Sequence, residues 1–202
     1  MARPRPDSKT KFLEAALRVI RAQGYEATTV DDICRAAGLT KGSFFHHFES
    51  KEALALAAAE HFSAMAGHLF ATAPYTQATD PLDRILGYVD FRAAIMRGDL
   101  PDFTCLLGTL VQETYETHPA IRVACDRCLS DHVRVVAADI AEAKQRHAPD
   151  APWSPESLAR FTQAVIQGAF ILAKAKQGPD VAVECLTHLR RYLETQFNRT
   201  TA

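Results

Sequence analysis

Two groups of residues carry side chains that can bind a metal or react. The first is the adjacent pair His46 and His47. The second is Cys125 and Cys128, which form a CxxC spacing with His132 four residues further on. Imidazole nitrogens and thiolates are zinc ligands, and a CxxC pair can also exchange between thiol and disulfide. Metal binding and redox chemistry are therefore the first hypotheses.

The spacing argues against a metal site at either place. Neighbouring residues on a helix point about 100° apart, so His46 and His47 share no face, and neither has a His or Cys partner four residues on. The CxxC pair falls inside a predicted helix, whereas a redox CxxC normally begins one. We therefore predict no metal and no cofactor, and the role of Cys125 and Cys128 stays open.

The residue types of a catalytic triad occur together at Ser130, Asp131 and His132. Consecutive positions on a helix diverge around its axis, so these three side chains cannot converge on one substrate. The sequence also contains no phosphate-binding glycine loop and no HExxH motif. We predict that the protein is not an enzyme and has no catalytic residues.

Composition bounds the class of protein. The chain has 202 residues and is 48% hydrophobic, which is enough for a buried core. Its net charge of −1 predicts neither a polyanion-binding protein nor an acidic tail. No apolar run approaches the roughly 18 residues of a membrane span, and no signal-peptide segment follows the basic start, so we expect a cytoplasmic protein. The five cysteines are an odd number, and free thiols are expected.

Helical periodicity dominates the elements that must position these residues. The first helix is predicted to end at Gly24 and the second at Gly38. Thr28 and Asp31 have the spacing of a capping box at the start of the second helix. No segment alternates with a period of two, so the sequence predicts an all-α fold of about nine helices.

Further capping residues divide the rest of the chain. Thr40 is predicted to cap a third helix of about two turns, and Ser50 a long fourth helix from Lys51 towards Ala73. A polar segment near residues 74–81 follows as the one internal boundary. Five more helices, each with a proline near its start, are predicted over 81–97, 102–117, 119–147, 155–177 and 179–197.

The second and third helices, joined by a tight turn at Gly38, form a helix-turn-helix. Such a motif inserts the first turn of its second helix into a DNA major groove, and here that turn holds Lys41, Gly42 and Ser43. Gly42 costs a helix roughly 1 kcal/mol relative to alanine, which is understandable where the backbone must approach another surface closely. Phe44 and Phe48 share one face and are predicted to anchor this helix on its neighbours.

The run TVDDICRAAGLTKGSFFHHFESKEAL resembles the DNA-binding signature of the TetR family of transcriptional repressors, and the likeness covers residues 8–56. It implies an N-terminal three-helix DNA-binding domain over 1–56, with a basic arm over 1–11, and a helical effector-binding and dimerisation domain over 57–202. The implied protein is a homodimer that binds a palindromic double-stranded DNA operator and releases it when a small molecule binds. The DNA-contact candidates are Arg3, Arg5, Thr29, Thr40, Lys41, Gly42, Ser43, Phe45, His46, His47 and Lys51.

One position departs from the family pattern. Members commonly carry tyrosine where this chain has Phe45, and that hydroxyl often meets a phosphate. Phenylalanine keeps the ring and loses the donor, which leaves packing or contact with a thymine methyl group. The alternative to a DNA-binding repressor is a dimeric small-molecule or thiol-redox sensor without DNA binding.

The C-terminal half also carries a resemblance. CLLGTLVQE is similar to the CLxGxLxQE pattern of a TetR subgroup that includes electrophile- and acrylate-responsive repressors, which points to Cys105 as a sensing residue. Asp102 is predicted to cap the helix, which places Cys105 in its first turn, where the helix dipole favours a thiolate. The candidate ligand-binding residues are Cys105, Phe91, Met96, Phe103, Leu106 and Phe170. The candidate dimer interface is Ile166, Ala169, Phe170, Ala173, Cys185, Leu186, Leu189 and Leu193.

Overall fold

The structure is a computed structural model that describes residues 7–199. Within that range every regular element is helical, which confirms the all-α prediction. No helix there is long and apolar enough to cross a membrane. The helices are α1 (Ser8–Gln23), α2 (Val30–Ala37), α3 (Lys41–His47), α4 (Lys51–Ala71), α5 (Pro81–Ala94), α6 (Leu100–Phe103), α7 (Leu106–Thr114), α8 (Pro119–His147), α9 (Pro155–Lys176) and α10 (Asp180–Gln196), with a short 3-10 helix at Pro74–Gln77.

The predicted caps of α3 and α4 are confirmed. Thr40 Oγ1 accepts the backbone N–H of Ser43 at 3.2 Å, and Ser50 Oγ accepts that of Ala53 at 3.0 Å. Each bond satisfies an N–H group that the first helical turn otherwise leaves unpaired.

The capping box of α2 lies one residue later than predicted. Thr29 and Asp32 form it: the Thr29 hydroxyl accepts the Asp32 backbone N–H at 3.2 Å, and Asp32 Oδ2 accepts the Thr29 backbone N–H at 3.0 Å. Thr28 is buried instead, and its hydroxyl donates to the Gly24 carbonyl. Both threonines are three residues from an aspartate, so the sequence does not distinguish them.

The predicted helix over 102–117 is broken in two. Asp99, and not Asp102, precedes α6, and the Asp99 backbone N–H donates to Asp102 Oδ2 at 2.9 Å. Thr104 and Cys105 are both extended, so a new helix, α7, begins at Leu106. Cys105 therefore occupies the N-cap position of α7 and not the first turn of a helix that begins at Asp102.

The chain divides into two compact units. One comprises the described residues up to Met65 together with 105–128, and the other comprises 66–104 together with the described residues from Leu129. In the first unit, helices α1, α2 and α3 surround a core that includes Phe12, Ile33 and Phe44, each fully buried. This division by packing does not test the predicted boundary between a DNA-binding domain over 1–56 and an effector domain over 57–202. That boundary stays a prediction.

The second unit has its own core. Ile85 of α5, Ile140 of α8, Ile166 of α9 and Leu193 of α10 are each at most 1% exposed. Each comes from a different helix, and burying apolar surface stabilises the fold by roughly 25 cal/mol per Å². The four helices are thereby held as one packed body.

Candidate nucleic-acid interface and sensing residues

Helix α3 is anchored by aromatic packing on one side. Phe44 is fully buried and Phe48 is 5% exposed. Their ring centroids lie 5.5 Å and 6.3 Å from that of Phe12 on α1, both edge to face. This arrangement is favourable for aromatic pairs beyond simple burial. The predicted anchoring role of Phe44 and Phe48 is confirmed.

The opposite side of α3 is open. Lys41, Gly42 and His46 are exposed, Ser43 is partly exposed, and Phe45 is 57% exposed. A Cβ added at Gly42 meets only Thr40 Oγ1, at 3.8 Å, so the glycine is not required by packing within the chain. A helix with a buried aromatic side and an open first turn can lie against base edges in a major groove.

Several DNA-contact candidates already have partners within the chain. The Lys51 ammonium donates to the Tyr25 carbonyl at 3.0 Å and lies 4.1 Å from the centre of the Tyr25 ring. Lys41 pairs with Asp31 at 2.9 Å, and both groups are exposed. An exposed ion pair contributes at most about 1 kcal/mol, so Lys41 can exchange its carboxylate for a phosphate at little cost. Lys51 is held more firmly.

The remaining candidates fall into two groups. His47 Nε2 lies 2.7 Å from the Ser8 hydroxyl, which ties α3 to the start of α1. Thr29 and Thr40 use their hydroxyl groups as helix caps. Arg3 and Arg5, the predicted arm contacts, lie outside the described residues.

Four ligand candidates lie in the second unit, and three of them are aromatic. The rings of Phe103 and Phe170 are 6.4 Å apart, and those of Phe91 and Phe70 are 6.2 Å apart. Met96 is also in this unit and is 3% exposed. Sequence reasoning missed Phe70 and, above all, Arg92, whose guanidinium lies among these rings.

Cys105 and Leu106 belong to the first unit. Leu106 is fully buried, and Cys105 is partly exposed. Burial raises the pKa of the Cys125 thiol to about 12, and the nearby thiols of Cys105 and Cys128 add to this rise. The CxxC pair is therefore two buried thiols inside α8, which suits small core residues better than redox groups.

His132 is not available as a ligand partner for these cysteines. Its Nε2 lies 2.8 Å from the Tyr88 hydroxyl, and burial, with the charge of Arg92, lowers its pKa to about 4. Among the residues that the structure describes, no group of three or more His, Cys, Asp or Glu side chains is placed to hold a metal ion.

Comparison with known proteins agrees with this geometry. The family profile described as bacterial regulatory proteins of the tetR family matches residues 12–58. A second profile, described as the C-terminal domain of LmrA/YxaF-like transcriptional regulators, matches residues 81–181, half of the chain. The chain belongs to the TetR family. It is a helix-turn-helix transcriptional regulator and not an enzyme.

Individual relatives span nearly the whole TetR-family chain. It is 27% identical over 176 residues to the HTH-type transcriptional repressor DhaR of Mycobacterium sp. strain GP1, with 87% of each chain covered. It is 29% identical over 189 residues to the transcriptional regulator AcuR of Cereibacter sphaeroides, with 88% of this chain and 84% of that protein covered. The crystal structure of a regulatory protein TetR from Rhodobacter sphaeroides superposes with a TM-score of 0.82 at 26% identity, covering 92% of this chain and 98% of the other.

The residues predicted to form the dimer interface of this TetR-family protein lie inside the subunit. All except the partly exposed Cys185 are at most 6% exposed in the single chain, because this face of α9 and α10 packs within the same unit. The same two helices carry a separate exposed apolar face. It consists of Phe161, Ile171, Leu172 and Tyr192, each between 42% and 50% exposed.

Glu113, at the end of α7, is a further residue that sequence reasoning missed. Its Oε2 accepts the backbone N–H of Glu26 at 3.0 Å, and its carboxylate lies against Gly24. The rings of His118 and Tyr25 pack 5.2 Å apart beside this contact. The segment of α7 and early α8 is thus fastened to the loop that joins α1 to α2.

Proposed function

We propose that this regulator is a homodimeric repressor that holds a palindromic operator and releases it when a small molecule binds. The observation that carries the proposal is the open first turn of α3 above its buried anchors, Phe44 and Phe48. Two copies related by a two-fold axis place their α3 helices in successive major grooves, about 34–36 Å apart. Residues 1–56 provide the DNA-binding domain and residues 57–202 the effector and dimerisation functions.

The proposed contacts divide by chemistry. Lys41, Ser43 and His46 offer donors to base edges, Gly42 permits close approach, and Phe45 offers a ring to a thymine methyl group. Positioning contacts to the phosphate backbone come from the other candidates. These are Arg3, Arg5, Thr29, Thr40, His47 and Lys51.

The exposed face of α9 and α10 supports dimerisation through these helices. The rings of Phe161 and Tyr192 lie 4.8 Å apart across the two helices, with Ile171 and Leu172 further along α9. An exposed aromatic pair beside aliphatic residues is typical of an interface. We therefore assign the interface to this face. The buried residues that the sequence analysis named would then pack beneath it and hold α9 and α10 in place.

Selection from random DNA duplexes with the purified protein tests the assignment. A repressor enriches an inverted repeat whose half-sites lie about one helical turn apart, and its affinity falls steeply with salt. If the selection enriches no sequence, the proposal that the protein binds a specific operator is wrong.

We also propose that this regulator belongs to the CLxGxLxQE subgroup and that Cys105 reads reactive electrophiles. Among the five thiols, Cys34, Cys125 and Cys128 are buried, whereas Cys105 and Cys185 are partly exposed. Operator release by N-ethylmaleimide, compared between Cys105→Ser and the matched control Cys185→Ser, tests this role. Release that persists unchanged in Cys105→Ser would exclude it.

A further inference from the structure

Arg92, on α5, lies in an aromatic cage. Its guanidinium carbon is 5.0 Å from the ring centre of Phe70, 5.6 Å from that of Phe170 and 5.9 Å from that of Tyr88. Phe70, Phe170 and Tyr88 are at most 6% exposed, and Arg92 itself is half-buried. Attraction to the faces of aromatic rings stabilises a guanidinium without giving its N–H groups a hydrogen-bond acceptor.

The edge of this guanidinium lacks a carboxylate partner. Between residues 7 and 199, no Asp or Glu forms an ion pair with Arg92. Other half-buried arginines of the same unit are paired: Arg84 with Asp139 at 2.8 Å, and Arg190 with Asp90 at 2.9 Å. A guanidinium carries five N–H donors and no acceptor. The N–H donors of Arg92 are therefore not engaged by a carboxylate, unlike those of Arg84 and Arg190.

The surroundings keep the site positive. His132 is neutral at physiological pH because burial and the charge of Arg92 lower its pKa to about 4. Tyr75 is neutral because burial raises its pKa to about 12. Asp139, the acid that acts on Tyr75 electrostatically, is compensated by Arg84. Arg92 is thus the one uncompensated charge among these groups.

We propose that Arg92 binds the carboxylate of an aromatic acid, and that this acid is an effector of the repressor in addition to the electrophiles proposed for Cys105. The planar fork of the guanidinium matches a carboxylate with two parallel hydrogen bonds. The rings of Phe70, Tyr88 and Phe170 surround that guanidinium, and their apolar character favours an aromatic body for the acid. The effector role rests on the proposed operator release, whereas the binding site does not.

Calorimetric titration of the full-length protein, without DNA, tests the binding site. Benzoate and 2-naphthoate are each compared with their neutral amides, because the pair differs in charge and little in shape. A charge-assisted hydrogen bond is worth about ten- to a hundredfold in affinity, so the acid binds at least about tenfold tighter than its amide. Equal affinities, or no saturable binding by either acid, would overturn the site.

Variants assign the preference to Arg92. Arg92→Gln removes the charge and brings the ratio of acid to amide affinity towards one, and Arg92→Lys keeps a charge without the planar fork and gives an intermediate ratio. The exposed Arg97→Gln is the matched control and leaves the ratio unchanged. Circular dichroism and operator affinity without acid verify that each variant is folded. An unchanged ratio in folded Arg92→Gln would contradict the proposal.

The same acids are then added to the complex of protein and selected operator. Release by the acid that binds, and retention with its amide, supports the effector role. Binding without release overturns that role and leaves the carboxylate site standing. Failure of operator selection itself affects only the proposed repressor function, since the calorimetric result does not depend on DNA.

Discussion

Replacing Gly24 with alanine should destabilise the first unit through two separable effects. Gly24 has φ of 90° and ψ of 164°, a conformation that is essentially restricted to glycine. Forcing another residue into it costs about 1–3 kcal/mol. The new Cβ would also lie 2.4 Å from Glu113 Oε1, so the carboxylate must leave the Glu26 N–H, which costs about 1 kcal/mol more.

The total loss of about 2–4 kcal/mol in unfolding free energy corresponds to a melting temperature lower by roughly 5–15 °C for a chain of this length. Urea denaturation followed by circular dichroism at fixed protein concentration measures it. Gly42→Ala is the matched control. It has a helical backbone and an open side, so it should gain up to about 1 kcal/mol in stability while weakening operator binding.

A double-mutant cycle separates the two effects. In a Glu113→Ala background the clash is absent, so Gly24→Ala should cost only the backbone term, and the coupling energy should be about 1 kcal/mol. A coupling energy near zero would show that Glu113 does not occupy the space beside Gly24. The described contact between α7 and the loop of α1 and α2 would then be refuted.

Three further perturbations follow from the same structure. Lys51→Ala should weaken binding to all DNA sequences and lower the salt slope by about 1, whereas Ser43→Ala should act at particular base pairs in competition binding assays. Ile171→Glu should produce monomers in analytical ultracentrifugation, while the control Val135→Glu, at a more exposed apolar position of α8, should leave the dimer intact. The free energy of unfolding should fall by up to about 3 kcal/mol as the pH drops from about 6.5 to about 4, because in this range His132 takes up its proton only on unfolding. His132→Gln should flatten this pH dependence, measured by urea denaturation.

The sequence predicted what local signals determine. The caps Thr40 and Ser50 act on the next turn of their own helix, and Phe44 and Phe48 lie four residues apart on one helix face. Such features depend on a few neighbouring residues, so periodicity and cap preferences were sufficient for α3 and its anchors. The break before α7 was not predicted, because Asp99 and Asp102 are both suitable helix caps around one proline. Only tertiary packing selects between them.

Long-range contacts account for what the sequence did not predict. Glu113 binds a backbone N–H that is 87 residues away, and Arg92 meets a ring of another helix at Phe170. The interface candidates show a related limit of periodicity. A periodic apolar face on α10, such as that of Leu186 and Leu189, shows that something covers it and does not show whether the cover is the same chain or a second copy.

Helix α7 connects the proposed sensing thiol, Cys105, to the contact at Gly24. Cys105 precedes its first residue and Glu113 lies at its last turn, so one rigid element of nine residues connects the thiol to the loop at Gly24. A packed helix moves as a unit, because interiors are dense and bend little over such a length. Alkylation of Cys105 that displaces α7 would therefore act on the Glu26 contact directly. The double-mutant cycle at Gly24 and Glu113 and the operator-release assay at Cys105 therefore test opposite ends of α7.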